Sequence, residues 1–378
     1  MVALERFIDK TAGTLLSLLF GVLSKPFNRK LPKSINNILI IKLWAIGDSI
    51  ITLPMIDSLK KRFPKSKITI LVKKRNYLVY KDSKDIDHIE LFESGNFSHI
   101  LALFRKFDVC MDLEPYLNIS ALLSFFFSNY RMGFSHGARS LLYSKKIKFN
   151  RKQHMVQNYL DFARAIGAKN DYKSLIKLSY SKHDEDKIKN LFREFKLKSS
   201  DFLVGISLVV AESVKSREWP KESFAKLAIS ILSRRKNAKI VFVGLEQDKQ
   251  DINQIINMIG AIDIGNISIN RVFNFAGKTN LSEFFCIAGK FDVFVSNDTG
   301  TMHIAAAQGV KTIGLFGPNI PALWAPYGPK NIPIYKGKIC PYSPCIRNEE
   351  GLMPKCYNKD YQICMKNIKV EDVLRYVK

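Results

Sequence analysis

From Asn37 onward the chain alternates short apolar runs with longer stretches in which apolar residues return every third or fourth position. The runs "ILIIKL", "KITILV", "DHIELF" and "FDVCMDL", between Ile38 and Leu113, read as strands. The first is apolar almost throughout, as a strand covered by helices on both faces must be. Helical periodicity fills about Ser49 to Arg62, "LNISALLSFFFSNY" and "MVQNYLDFARAIGA". A charged helical stretch, Tyr180 to Ser200, leads into a second alternation. There "FLVGIS", "AKIVFVGL", "VFNFAG", "FDVFVSN" and "KTIGLFG" are the strand runs. Helices are expected over "KESFAKLAISILSRR", about Asp248 to Ile259, "LSEFFCIAG" and "TMHIAAAQG". Two successive series of strand–helix units predict an α/β chain of two Rossmann-like, parallel-sheet domains.

The pattern divides the chain into an N-terminal segment (residues 1–34), a first α/β domain (35–180), a second (200–340) and a cysteine-containing C-terminal extension with a helix (341–378). Such sheets bind ligands beyond the carboxyl ends of their strands, so a central cleft faced by both domains is the expected active site. In the N-terminal segment, apolar residues from about Ala12 to Leu23 precede Lys25, Arg29, Lys30 and Lys33. That stretch is too short for the roughly 30 Å of a bilayer's hydrocarbon. Its aromatics, leucines and basic tail suit an amphipathic helix lying in a membrane interface, though a helix packed on the protein's own surface has the same composition. No cleavable signal peptide is evident, and peripheral attachment to the cytoplasmic face of the inner membrane is the expectation.

Composition adds a charge problem to an ordinary globular chain. Of 378 residues 47% are hydrophobic, enough for sizeable cores, but 59 Lys and Arg against 34 Asp and Glu leave a net charge of +25. An anionic partner follows, although an AT-rich coding bias toward Lys, Asn, Ile and Phe accounts for part of the excess. No helix-turn-helix, RNA-recognition or zinc-finger frame accompanies the charge, so no nucleic-acid partner is expected. Cys110 and Cys286 lie in apolar segments and read as buried thiols. Cys340, Cys345, Cys356 and Cys364 are separated by four, ten and seven residues, without the close pairs of common zinc modules. Loop packing or a disulfide suits them better, and no metal site is expected.

Two strand-to-helix turns carry the candidate chemistry. "FDVFVSN" runs into Asp298-Thr299-Gly300, and His303 sits one turn into the helix that follows. A helix N-terminus offers unpaired N–H groups and the positive end of its dipole to an anion, and Gly300 allows close approach. Asp298 or Thr299 is equally a routine cap. In "ILIIKLWAIGDSIITLP" the pair Gly47-Asp48 falls between the first strand and the first helix. Gly47 permits a turn there and Asp48 or Ser49 is placed to cap the helix; a carboxylate at that position also suits taking a proton from a substrate hydroxyl. "AGKT" at Ala276 to Thr279 is not a P-loop, because Val272 stands where the first glycine belongs. With no GxGxxG either, no dinucleotide cofactor is expected.

Several pieces taken in order resemble the lipopolysaccharide heptosyltransferases, glycosyltransferase family 9, which have the GT-B fold. They are "IIKLWAIGDSIITLPMIDSLKKRFP", "YRMGF", "REWPKESFAKLA", "FAGKTNLSEF" and "SNDTGTMHIAAAQGVKTIGLFGP" with "WAPYGP", and the likeness runs from about Asn37 to the C-terminus. It implies an inverting transferase, free of metal and cofactor, that moves a sugar from a nucleotide-sugar donor to a lipopolysaccharide-core or related anionic glycolipid. ADP-heptose is the foremost donor it implies. By this resemblance Asp48 is the catalytic base, and Asp298, Thr299, Gly300 and His303 match the D-[ST]-G-x-x-H that holds the donor diphosphate. Arg217 matches the basic residue of K/R-x-W-P, with Lys215 as a neighbouring choice. Asp248, with Glu246 nearby, falls where an acidic residue meets the donor ribose, and Gly47, Trp44 and Ser49 face the acceptor. The chain departs from the family in two places: "SLVVAES" replaces a Gly-containing turn, leaving Ser207 and Ser213 as phosphate-contacting hydroxyls, and Trp44 replaces a smaller residue. A same-family enzyme with another donor, building another surface glycan, is the alternative; a non-catalytic nucleotide- or polyanion-binding protein is the distant one. Basic clusters at Lys60, Lys61, Arg62, Lys65 and Lys67, at Lys73, Lys74 and Arg75, and at Lys145, Lys146, Lys148, Arg151 and Lys152 load the acceptor half.

Overall fold

The computed structural model describes residues 2–23, 30–93, 97–208, 210–261, 269–347, 350 and 355–377. The chain divides into two compact units. Met1–Tyr172, with a short piece around Glu350, forms one; Lys173–Arg347 with Met353–Lys378 forms the other.

Each unit is built on a six-stranded parallel sheet. In the first, β1 (Asn37–Ile41), β2 (Lys67–Val72), β3 (His88–Leu91), β4 (Val109–Asp112), β5 (Arg131–Phe134) and β6 (Lys145–Ile147) lie in the order β3-β2-β1-β4-β5-β6. In the second, β7 (Phe202–Ser207), β8 (Ala238–Val243), β9 (Val272–Asn274), β10 (Val293–Asn297), β11 (Lys311–Phe316) and β12 (Ile332–Tyr335) lie in the order β12-β11-β10-β7-β8-β9. Strand order therefore reverses between β1 and β4 in one sheet and between β7 and β10 in the other. Chain segments leave such neighbours toward opposite faces, which opens a crevice at their carboxyl ends. The register sets Ile41 beside Asp112 and Ser296 beside Ser207, so the strands flanking each crevice end nearly level.

All nine expected strand runs contain a strand, and Ile38, Leu39, Ile40 and Ile41 are wholly buried as a two-face-covered strand requires. Three strands escaped the pattern. β6 is the basic tripeptide Lys145-Lys146-Ile147 at a sheet edge, and β12 holds Pro333, which an edge strand tolerates. β5 is only four residues long and starts on the buried Arg131. The single helix expected from Ser49 to Arg62 is two, Ile46–Ile50 and Leu53–Arg62, since Pro54 lacks an N–H and fits only a first helical turn.

The C-terminal stretch is part of the second core rather than an appendage. Met365, Ile368, Val373 and Leu374 pack in one cluster with Trp219 and Phe224, and the Trp219 indole N–H donates to the Ile368 carbonyl at 2.9 Å. All six cysteines are free thiols, with Cys110 and Cys286 buried as expected. The alternative of a disulfide among the C-terminal four is thus not realised. Among the described residues no three His, Cys, Asp or Glu side chains are grouped to hold a metal ion. The N-terminal segment forms the helix Val2–Leu23, and among the described residues no helix is long and apolar enough to cross a membrane. Lys25 and Arg29 of the basic tail lie outside the described residues.

Candidate functional site

In the second unit, candidate residues gather where β7 and β10 end. The helix Gly300–Ala307 begins at Thr299, whose backbone is extended and whose side chain caps nothing. Its hydroxyl instead meets that of Thr301 at 2.9 Å, and Thr301 donates to the Ser207 hydroxyl at 3.1 Å. The routine-cap reading of Asp298-Thr299 is therefore not met, since the Thr299 side chain leaves the first N–H groups of this helix uncapped. Arg217 reaches the same turn: its Nη1 donates to the Asp298 carbonyl at 3.0 Å and lies 3.3 Å from the Asp298 carboxylate. Asn319 Nδ2 donates to that carboxylate at 2.6 Å. Asn297 fixes the assembly, accepting from the Trp219 N–H at 3.1 Å and donating to the Leu208 carbonyl at 3.0 Å.

Two buried nitrogens in this cluster, Arg217 Nε and His303 Nδ1, have no hydrogen-bond partner among the described residues. Leaving such a group unmatched costs about 1–3 kcal/mol. Burial, and then the Arg217 charge, push His303 down to about 4, so the ring is neutral at physiological pH. Positive charge at this turn comes from Arg217, and His303 contributes a neutral nitrogen.

In the first unit the matching crevice lies beyond β1 and β4. Lys42, the residue after β1, is wholly buried. Its ammonium sits 3.1 Å from Glu114 Oε1 and 3.7 Å from Asp48 Oδ2. The same Glu114 oxygen accepts the Leu43 and Trp44 N–H groups at 2.6 and 2.9 Å. Burial is the largest single influence and works against the charged amine, but Glu114, Tyr159, Asp48 and Tyr80 together outweigh it and hold Lys42 well above its ordinary value. Asp112 supports the loop that carries Glu114. One of its oxygens accepts the Glu114 N–H at 3.0 Å, and the other accepts from Tyr143 and Arg139 at 2.7 and 2.6 Å.

The turn before Asp48 differs from expectation. Ala45, at φ 57°, is the N-cap, whereas Gly47 and Asp48 lie inside the helix Ile46–Ile50 and neither Asp48 nor Ser49 caps it. Ser49 is wholly buried, donating to the Ala45 carbonyl at 2.9 Å and accepting from Asn76 at 2.8 Å. It steadies the turn rather than facing an acceptor. The Asp48 side chain keeps 21% exposure and is open to a substrate. Trp44 lies under the Arg75 guanidinium, 4.2 Å from the ring centre, and lines a hollow with Leu43, Lys73 and Phe92.

The sequence profile described as glycosyltransferase family 9 (heptosyltransferase) matches residues 97–353, well over half of the chain. The chain belongs to glycosyltransferase family 9. It is 24% identical over 312 residues to the lipopolysaccharide core heptosyltransferase OpsX of Haemophilus influenzae, covering 80% of this chain and 84% of that one. Its fold is shared with a family 9 glycosyltransferase of Veillonella parvula (TM-score 0.69, 22% identity, 81% and 87% of the two chains). The E. coli ADP-heptose lipopolysaccharide heptosyltransferase II is similar too (TM-score 0.67, 20% identity, 91% and 97%). The protein is a glycosyltransferase with two parallel-sheet domains of the GT-B type.

For this family 9 enzyme the structure brings Ser207, Arg217, Asp298, Thr299, Gly300 and His303 to one crevice. Asp248 and Glu246 follow β8, next to β7 in the sheet, and touch none of that group among the described residues. The Asp248 carboxylate accepts from the Leu245 N–H at 2.7 Å, and Glu246 pairs with Lys249 at 3.0 Å. Lys215 and Ser213 are exposed on the turn before Arg217. Sequence reasoning missed Lys42, Glu114 and Asn319. A lysine inside an otherwise apolar strand run was the only available signal, and it concerned Lys42 alone.

Proposed function

We propose that this glycosyltransferase moves heptose from ADP-heptose to a hydroxyl of a lipopolysaccharide-core glycolipid, with inversion and without a metal ion. The names of its relatives support the donor and acceptor class. Asp48 takes the acceptor hydroxyl's proton as that oxygen forms its bond to the anomeric carbon. The anomeric C–O bond to the diphosphate breaks at the same centre, and ADP leaves with the electron pair. Charge then grows on the diphosphate, where preorganised donors stabilise it most. Arg217, the uncapped start of helix Gly300–Ala307 and neutral His303 supply those donors. Lys42 holds the Asp48 carboxylate in place and, being anchored on Glu114, fixes it to the end of β1.

The observation that carries this reading is the pair of buried nitrogens, Arg217 Nε and His303 Nδ1, without partners among the described residues and beside a helix N-terminus that Thr299 leaves uncapped. A thermal-shift screen of ADP-, GDP-, UDP- and CMP-sugars tests it. ADP-heptose is expected to give the largest stabilisation and the only product with a core acceptor. A larger shift and turnover with another nucleotide sugar would overturn the donor assignment, and no shift with any would overturn the diphosphate site.

A further inference from the structure

The helix Val2–Leu23 has two unlike faces. Asp9, Gly13, Ser17 and Gly21, one every four residues, line the inner face. Asp9 accepts the N–H groups of Asn118 and Ile119 at 3.0 and 2.7 Å, capping the helix Asn118–Phe127. A Cβ on Gly13 would meet Asn118 at 2.8 Å, and one on Gly21 would meet Leu141 at 2.6 Å, so both glycines are required for this close approach. Phe20 closes the contact against the rings of Phe125 and Phe126. The helix is thereby locked to the first unit by its small residues.

Its outer face presents Phe7, Ile8, Leu15, Leu18, Leu19 and Val22, each 44–69% exposed. A continuous apolar ridge of this kind on a soluble surface marks an interaction site. Nearby, Leu101 and Phe104 are also exposed, with Arg105 stacked over the Phe104 and Phe125 rings. Lys10 on the same helix and Lys106 beside Arg105 are exposed, as are Lys30 and Lys33 a short way along the chain, while Asp9 is turned inward. An apolar ridge accompanied by exposed cations matches anionic lipid, whereas self-association would bring like charges of a +25 chain together.

We propose that this outer face docks the first unit on an anionic phospholipid bilayer, with the helix lying in the headgroup region. Asp9 also lines the hollow that holds Trp44 and Lys73, so docking would bring the acceptor side of the enzyme to the lipid surface. This goes beyond the donor chemistry and does not depend on it.

Co-sedimentation of the full chain with phosphatidylethanolamine vesicles containing phosphatidylglycerol, against phosphatidylcholine vesicles, tests the proposal. Binding to the anionic vesicles alone, weakening as salt rises, is expected. Leu15→Glu with Leu19→Glu should cut partition at least about tenfold while leaving the thermal midpoint and ADP affinity as in wild type. Lys30→Glu with Lys33→Glu should flatten the salt dependence. Undiminished partition of the leucine variant, or no binding by the wild type, would overturn the proposal. So would a wild-type dimer, absent from the leucine variant and indifferent to vesicles, because the face would then serve self-association.

Discussion

Beyond β1 and β4, a crevice is filled by the protein's own ion pair: Lys42 on Glu114, with Asp48 at its edge. Beyond β7 and β10, the equivalent crevice ends in an uncapped helix, with Arg217 Nε and His303 Nδ1 unmatched. The same topology thus carries an internal ion pair at each crevice, with different groups left over. In one, a buried cation meets internal carboxylates and leaves one of them, Asp48, partly exposed as a fixed negative group. In the other, Arg217 also meets an internal carboxylate, that of Asp298, but its Nε and His303 Nδ1 find no partner among the described residues, which favours an incoming ligand. A strand-order reversal supplies only the crevice; the residues just past the strand ends decide whether it positions a base or receives a phosphate.

The largest expected effect removes the negative group itself. Asp48→Ala should lower transfer by about 10²–10⁴-fold, the usual worth of a positioned general base. Unaltered turnover in a product assay would place the base elsewhere.

Breaking the internal pair comes next. Lys42→Met leaves Glu114 buried without its cation and should destabilise the first unit by about 3–5 kcal/mol. Adding Glu114→Gln should recover part of that stability, since the uncompensated charge is gone, but not the lost activity. A denaturant titration alongside a turnover assay checks both halves. Recovery of both together would make the pair purely structural.

On the other side, Arg217→Ala should weaken ADP binding by about 10–100-fold, as loss of a charged hydrogen-bonding partner does. Lys215→Ala, on an exposed side chain, should weaken it less. Equal losses would mean that the unmatched geometry of Arg217 has no special part in binding.

The smallest effect is a pH slope. Unfolded His303 gains a proton near 6.5, but in the folded protein it does so only near 4. Between those values the unfolded state binds more protons, so stability rises with pH and is lost as pH falls from 6.5 toward 4. For this residue the loss is at most about 3 kcal/mol. Chemical unfolding at pH 7 and pH 5 should show the slope in wild type and a shallower one in His303→Asn.

How much of this could be read from the chain follows from the range of each interaction. The helix after Asn297 and the turn after Leu43 are local features, and their strand runs, small residues and Gly-Asp pair are visible in the sequence. Lys42 and Glu114 are 72 residues apart, so their pairing is set by how β1 and β4 align and has no local signature. Gly47 suggested a turn that glycine permits, yet the positive φ falls on Ala45, whose carbonyl accepts from Ser49 while Ser49 accepts from Asn76. The C-terminal helices were legible only as an extension, because the Trp219 surface they cover is a tertiary product.

Calorimetric titration of ADP into wild type, Asp48→Ala and Arg217→Ala tests the division between the two crevices most directly. The expected result is wild-type affinity, within about twofold, for Asp48→Ala and at least about tenfold weaker binding for Arg217→Ala. Weaker binding in Asp48→Ala with an unaffected Arg217→Ala would contradict the assignment of base and phosphate sites.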